Sequence, residues 1–325
     1  MRILNTLGKT YSVEAHTILS RLGKVTYQTQ GQKQLEANIE KYDIAIIGLG
    51  VFFTAPVFKK GKNLKAIVSA TTGLDHIDLR EAKRRGVGIL SLRGETKFLN
   101  TITGTAELAM GLMIDLLRRT PHAFDSVKRY EWNREAFRGH NLYGQTLGIV
   151  GLGRLGRLVA RYGEAFGMRV LFCDPRVEKT PRRACGKVPF EKLLSVSDVV
   201  SLHVHLSPKT ENMFSLREFR RMKKTAVLIN TSRGKIVDEK ALLAALKKGE
   251  IAGYATDVLA DEISFSSVKR SASGGNRGFK NHPLVEYAKK NQNIIIVPHL
   301  GGMTHESRVA TDIFMAKKLA RFLKN

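Results

Sequence analysis

Three side chains in this 325-residue chain have the chemistry to move a proton and hold an acid. They are Arg233 in Asn230-Thr231-Ser232-Arg233-Gly234, Glu262 five residues after Asp257, and His299 in Pro298-His299-Leu300-Gly301-Gly302. A guanidinium can grip a carboxylate through two parallel hydrogen bonds and polarise a neighbouring carbonyl. An imidazole can give that carbonyl oxygen a proton, and a carboxylate beside the imidazole raises its pKa and keeps it charged. Each residue also has an ordinary alternative: Arg233 could bind only a cofactor phosphate, Glu262 could be a loop acid, and His299 could be a strand-end histidine satisfied by backbone. Their shared position favours the catalytic reading. Each follows a short apolar run (226–229, 253–255 and 294–297) that reads as a strand, and doubly wound sheets gather function just past the carboxyl ends of their strands. His203 and His205 also end a run, 199–202, where a structural or cofactor-adjacent role is expected. His76, His122, His140, His282 and His305 lack a comparable context.

A proton donor beside a carbonyl becomes a redox site if a hydride carrier sits next to it, and the chain has a signature for one. Leu147-Gly148-Ile149-Val150-Gly151-Leu152-Gly153-Arg154-Leu155-Gly156 is an apolar run that breaks at Gly151, after which Leu155, Leu158, Val159 and Tyr162 recur at helical spacing. The G-x-G-x-x-G thus falls at a strand-to-helix turn, the context that makes it a dinucleotide clamp. Gly151 would permit the tight turn, Gly153 would let backbone approach a pyrophosphate, and Gly156 would let the helix lie close on its strand. A second run, Arg169 to Cys173, ends at Asp174. A carboxylate there accepts from a ribose 2′-hydroxyl and repels a 2′-phosphate, so NAD is expected over NADP, a preference softened by Arg176.

The elements that must position these residues follow from periodicity. Apolar runs at 147–150, 170–173, 199–202, 226–229, 253–255 and 294–297 alternate with amphipathic stretches, which indicates a parallel, doubly wound sheet. Candidate strands at 44–47 and 66–68 and a helix at 79–85 suggest a second α/β domain in the first hundred residues. Residues 105–117 are apolar nearly all round, predicting a helix buried between domains or at a subunit interface. A helix over 304–323 would return the C-terminus to the first domain. Residues 264–281, rich in Ser, Gly, Lys and Arg, read as a flexible surface loop.

Composition bounds the rest. At 43% hydrophobic and 26% charged, the chain is that of a folded globular protein large enough for two domains. Its start has no apolar leader core, no apolar run approaches a membrane span, and Cys173 and Cys185 have no metal-ligand spacing. A cytoplasmic protein without disulfide, zinc or other metal is expected. The net charge of +25, from 54 Lys and Arg against 29 Asp and Glu, could attract nucleic acid, an anionic membrane or acidic metabolites. The basic residues are scattered in short groups such as Lys83-Arg84-Arg85, Arg182-Arg183 and Lys247-Lys248, so a solvated surface is favoured over specific nucleic-acid binding.

Together these blocks resemble the D-isomer-specific 2-hydroxyacid dehydrogenase family along nearly the whole chain. Ala70-Thr71-Thr72-Gly73-Leu74-Asp75-His76-Ile77-Asp78 is similar to its substrate-carboxylate loop, and Trp132 with Leu142 to Gly148 is similar to the lead-in to its NAD clamp. The resemblance implies two similar Rossmann-like α/β domains with the site in the cleft between them. The expected division is a substrate domain from residues 1–102 and 300–325 and an NAD-binding domain from 103–299. It also implies a homodimer formed through the cofactor domain, acting on a small 2-keto or 2-hydroxy acid. Arg233 would orient substrate, His299 would be the acid/base and Glu262 its partner. Main-chain groups at Thr72, Gly73 and Leu74 would bind the acid. Gly151, Gly153, Arg154, Leu155, Gly156, Asp174, Val204, Thr231, Asp257, Gly301 and Gly302 would line the NAD site. Two departures stand out. His205 replaces the family's usual Pro, and Gly50-Val51-Phe52-Phe53-Thr54 lacks the Arg that the family's phosphoglycerate dehydrogenases carry early in the chain, leaving a phosphorylated substrate an open question. An NAD-sensing protein like the C-terminal-binding-protein corepressors, which share the fold, is the alternative reading.

Overall fold

The structure, a computed structural model, describes residues 1–29, 31–48, 50–178, 185–262 and 279–324. The expected loop at 264–281 falls outside them up to residue 278, as does the pair Arg182-Arg183. The chain forms two compact units, Met1–Ile102 with Thr304–Asn325, and Thr103–Glu262 with Asn281–Met303.

The first unit holds a five-stranded sheet of β1 (Arg2–Asn5), β2 (Lys24–Tyr27), β3 (Ile44–Ile47), β4 (Ala66–Ser69) and β5 (Gly88–Ser91). The order is β2-β1-β3-β4-β5 and every pairing is parallel. Parallel strands are covered on both faces, so their sequences run continuously apolar instead of alternating. In β3, Ile44 and Ile46 point into one core with Ile3, Val68 and Leu90, while Ala45 and Ile47 point into the other with Leu4, Ile67 and Phe53. The first core is completed by Tyr11, Ala15 and Leu19 and by Met315, Ala316 and Leu319 of the C-terminal helix His305–Phe322. Phe314 of that helix stacks on Phe98 at 4.1 Å between centroids. Lys318 donates to the Ser91 carbonyl at 2.8 Å and pairs with Glu95. The two ends of the chain therefore build one unit.

The second unit holds a seven-stranded sheet. Its strands are β6 (Thr146–Val150), β7 (Arg169–Cys173), β8 (Cys185–Lys187), β9 (Val199–Leu202), β10 (Val227–Asn230), β11 (Gly253–Thr256) and β12 (Ile294–Ile296). The order is β12-β11-β10-β9-β6-β7-β8, again all parallel. Strand order reverses at β6, which pairs with β7 on one side and β9 on the other, creating the switch point where such sheets open a crevice at their carboxyl ends. Ala106, Ala109, Met113 and Leu116 of the helix Gly104–Arg118 join Leu147, Ile149, Val159 and Ala255 in the second unit's own core. Among the described residues, no helix is long and apolar enough to cross a membrane.

Leu319 is fully buried in the first unit's core. Leu319→Ala removes that packing and leaves a cavity, so it should cost about 2–5 kcal/mol of stability in chemical denaturation monitored by circular dichroism. A loss near zero would contradict the anchoring of the C-terminal helix.

Candidate active site

His299 lies just past β12 with φ of +54°, a left-handed conformation uncommon for a residue with a side chain. Neighbouring groups hold it there. Its own N–H donates to the Asp257 carbonyl at 2.9 Å. The next two N–H groups, of Leu300 and Gly301, donate to the two carboxylate oxygens of Asp257 at 2.5 and 2.8 Å. The Gly301 carbonyl accepts from Thr105 Oγ1 at 3.0 Å, and a Cβ on Gly301 would lie 3.0 Å from both Asp257 Oδ2 and Thr105 Oγ1. Asp257 is only 1% exposed; burial pushes its carboxyl pKa up, against the two N–H groups that lower it.

The side chain of His299 is then fixed by Glu262, with 2.8 Å between Nδ1 and Oε1. A carboxylate only accepts, so Nδ1 carries the hydrogen of this bond and Nε2 is the nitrogen that can exchange a proton with another molecule. Burial works to lower the His299 pKa. The hydrogen bond and charge of Glu262, with the charge of Asp257, outweigh it and leave the imidazole raised, against a smaller lowering by Arg233.

Arg233 follows β10. The Asn230 side chain closes its turn, accepting from Ser232 N and donating to the Arg233 carbonyl, each at 3.0 Å. Arg233 Nη1 donates to the Ser232 carbonyl at 2.8 Å. Gly234 is required next because a Cβ there would sit 2.0 Å from the backbone of Leu259, so the Arg233 loop lies directly on the loop that carries Glu262. That second loop is held by Glu239, which accepts from Ala260 N at 2.8 Å and pairs with His282 at 3.3 Å. The sequence reading named neither Asn230 nor Glu239 as a positioning residue. An Asn at a strand end two residues before a Ser is a readable turn signal, whereas Glu239 had none.

The dinucleotide motif lies at the switch point. Gly151 has φ of +92°, and a Cβ there would come within 2.7 Å of the His203 carbonyl and 2.8 Å of Val204. A Cβ on Gly156 would sit 2.1 Å from the Gly151 carbonyl, so the helix Arg154–Ala165 touches its strand there. Gly153 differs: no atom lies within 4 Å of where its Cβ would be, leaving backbone open to a ligand beside the N–H groups of Arg154 and Leu155 in the first helical turn. Asp174 accepts from Leu152 N and Arg176 N, each at 2.8 Å, which fixes its carboxylate beside the clamp. The Thr231 hydroxyl is buried with no hydrogen-bond partner among the described residues. These features fit a dinucleotide. Gly302 is exposed with open space around it. Partly buried His203, 2.9 Å from Ser201 Oγ, has its pKa pushed down by desolvation to about 4 and is neutral at ordinary pH. Thr72, Gly73 and Leu74 belong to the first unit, in the loop after β4.

The fold and clamp define the second unit as a dinucleotide-binding α/β domain, and the comparisons carry this further. Residues 110–301 match the D-isomer specific 2-hydroxyacid dehydrogenase NAD binding domain. The D-3-phosphoglycerate dehydrogenase of Methanocaldococcus jannaschii is 33% identical over 315 residues, which is 96% of this chain and 56% of that one. The glyoxylate reductase of Korarchaeum cryptofilum is 37% identical over 274 residues, 82% of this chain and 76% of that one. Among solved structures, the D-lactate dehydrogenase of Aquifex aeolicus complexed with NAD and lactic acid superposes with a TM-score of 0.86 at 27% identity, covering 100% of this chain and 96% of that one. The chain thus belongs to the D-isomer specific 2-hydroxyacid dehydrogenase family, and NAD is its cofactor. It spans little more than half the length of the phosphoglycerate dehydrogenase it matches.

The glycines separate binding from folding. Gly153→Ala should leave the thermal melting temperature nearly unchanged while weakening NADH binding at least about tenfold in a fluorescence titration. Gly156→Ala should lower the melting temperature. Unchanged NADH affinity in Gly153→Ala would show that no phosphate approaches this backbone.

Proposed function

We propose that this protein transfers hydride between NAD and C2 of a small 2-keto or 2-hydroxy acid. The observation that carries this is the His299–Glu262 pair, in which Nδ1 is engaged at 2.8 Å and the pKa is raised, so Nε2 presents a proton. When bound, the nicotinamide supplies or accepts the hydride. In the reductive direction His299 gives its Nε2 proton to the substrate's carbonyl oxygen, and in the oxidative direction it takes the proton back. Glu262 stabilises the imidazolium. Arg233 binds the substrate carboxylate and polarises the carbonyl. In the first unit, the loop of Thr72, Gly73 and Leu74 offers backbone N–H groups of the kind that bind a carboxylate. Asp257 acts by holding the His299 turn.

The substrate class is narrowed by residues 50–54. Val51 and Phe53 are buried in the first unit's core and the stretch contains no cation, which favours an unphosphorylated acid. The reductase and dehydrogenase names of the relatives favour catalysis over a corepressor-like role. Asp174 beside the clamp favours NAD over NADP.

The test is the pH dependence of kcat/KM for reduction of glyoxylate, hydroxypyruvate and pyruvate with NADH. Reduction consumes the protonated imidazole. Activity should therefore persist above the ordinary histidine pKa and fall as pH rises through the raised one. In Glu262→Gln the groups that raise the pKa are weakened while burial still lowers it, so the falling limb should move to lower pH. His299→Ala should lose about 10²–10⁴ in kcat with NADH affinity retained. No turnover of any of the three acids, or an unmoved limb in Glu262→Gln, would sink the proposal.

We also infer a homodimer formed by the second unit. Within a short stretch of sequence it exposes Phe124 (65%), Tyr130 (100%), Trp132 (87%) and Tyr143 (81%), large side chains of the kind that mark protein–protein contacts. Sedimentation should show a dimer that Trp132→Lys combined with Tyr130→Lys dissociates; a wild-type monomer would refute this.

A further inference from the structure

The loop that follows β4 contains a hydrogen-bond chain that the preceding mechanism does not use. Ser69, fully buried at the end of β4, lies 3.1 Å from His76 Nε2 and 2.9 Å from Thr71 Oγ1, and Thr71 Oγ1 lies 2.7 Å from the Gly73 carbonyl. Each hydroxyl has a single hydrogen, and that settles the direction of every bond. A carbonyl cannot donate, so Thr71 gives its hydrogen to Gly73. Ser69 must then donate to Thr71. With Ser69's hydrogen spent, the third contact is a bond only if His76 Nε2 is the donor. The chain runs one way, from the imidazole N–H through two hydroxyls to one carbonyl, and it selects the tautomer of His76 that is protonated at Nε2.

Its terminus is the loop assigned above to the substrate carboxylate. Among the described residues, the backbone N–H groups of Thr72, Gly73 and Leu74 donate to no protein acceptor, while the surrounding backbone is well tied. Leu92 N donates to the Thr71 carbonyl at 3.0 Å and Ile77 N to the Leu74 carbonyl at 3.0 Å. His76 is itself pinned, since Phe53 N donates to its carbonyl at 2.8 Å and its side chain is only 2% exposed. Successive unpaired N–H groups form a concavity that suits an anion, provided the peptides between them cannot rotate. Engaging the Gly73 carbonyl restrains the Gly73–Leu74 peptide, and with it the N–H of Leu74 on the opposite side of the same plane.

We propose that His76 is a positioning residue for substrate recognition. Through Ser69 and Thr71 it locks the Gly73 carbonyl and so preorganises the N–H groups that receive a 2-keto acid's carboxylate. This inference rests on the functional reading above, and its test separates the two. The holoprotein with NADH is titrated with oxamate, a non-reacting carboxylate analogue of a 2-keto acid, and the Gly73 and Leu74 amide resonances are followed by NMR. Thr71→Val and His76→Phe, which keep volume but break the chain, should weaken oxamate binding about tenfold. They should raise KM for keto acids by a similar factor, with kcat and NADH affinity nearly unchanged. Thr71→Ser and His76→Gln, which restore a hydroxyl or an N–H donor, should recover to within about threefold of wild type. Imidazole ¹⁵N shifts should show the Nε2–H tautomer at His76. An Nδ1–H tautomer, or unchanged oxamate affinity in both chain-breaking variants, would overturn the proposal while leaving hydride transfer intact. Normal loss and rescue of oxamate binding without any keto-acid turnover would instead defeat the functional reading and leave the chain standing.

Discussion

The candidate site depends on one buried carboxylate. Asp257 receives the N–H groups of Leu300 and Gly301 on its two oxygens, and its own carbonyl receives the N–H of His299. These bonds help hold a histidine in a left-handed conformation just past a three-residue strand, a conformation unfavourable for residues with a Cβ. The arrangement has its own cost. Burial raises the carboxyl pKa of Asp257, so its ionised form persists through the N–H groups that converge on it and the nearby His299. Asp257 and His299 thus support each other: the carboxylate fixes the turn, and the imidazolium helps the carboxylate remain charged.

The other loops at the sheet's carboxyl end constrain one another in the same way. The backbone after Arg233 presses on Leu259 and Ala260 so closely that only glycine fits at Gly234. Glu239 holds Ala260 from the opposite side of the sequence, reaching from the start of the helix Glu239–Lys248. Thr105, near the start of the core helix Gly104–Arg118, ties down Gly301. An imidazole, its carboxylate partner and a guanidinium thereby sit on three different loops, each secured by groups from elsewhere in the second unit. Preorganisation of this kind lets a site act on developing charge without rearranging during the reaction.

Much of this could be read from the chain, and the reason lies in parallel sheets. Strands buried on both faces are written as continuous apolar runs, so β6, β7, β9, β10, β11 and β12 were each recognisable to within a residue or so, and the polar blocks just beyond them marked the site. The strands that escaped notice were β1, β2, β5 and β8. β2 and β8 lie at sheet edges and carry Lys, Thr or exposed Gly where an interior strand would be apolar. The contacts of Asp257 with Leu300 and Gly301 span 43 and 44 residues, and those of Thr105 with Gly301 span 196. No local pattern encodes such pairings. Asp257 could be placed near the nicotinamide by resemblance, but its hold on the histidine turn appears only when β11 and β12 lie side by side.

The strongly basic composition bears on the same histidine. A net charge of +25 from 54 cations and 29 anions disfavours adding one more positive charge to the protein. His299 nevertheless stands raised, because an oxygen of Glu262 lies 2.8 Å away with Asp257 close behind, whereas most of the cations are separated from it by water and salt. Screening reduces exposed charges strongly beyond about 8–10 Å at physiological ionic strength, while a partly buried pair in contact is screened much less. The two scales therefore divide the work. The diffuse surface charge acts at long range around the protein, while burial and the adjacent groups Glu262, Asp257 and Arg233 decide whether the imidazole carries a proton.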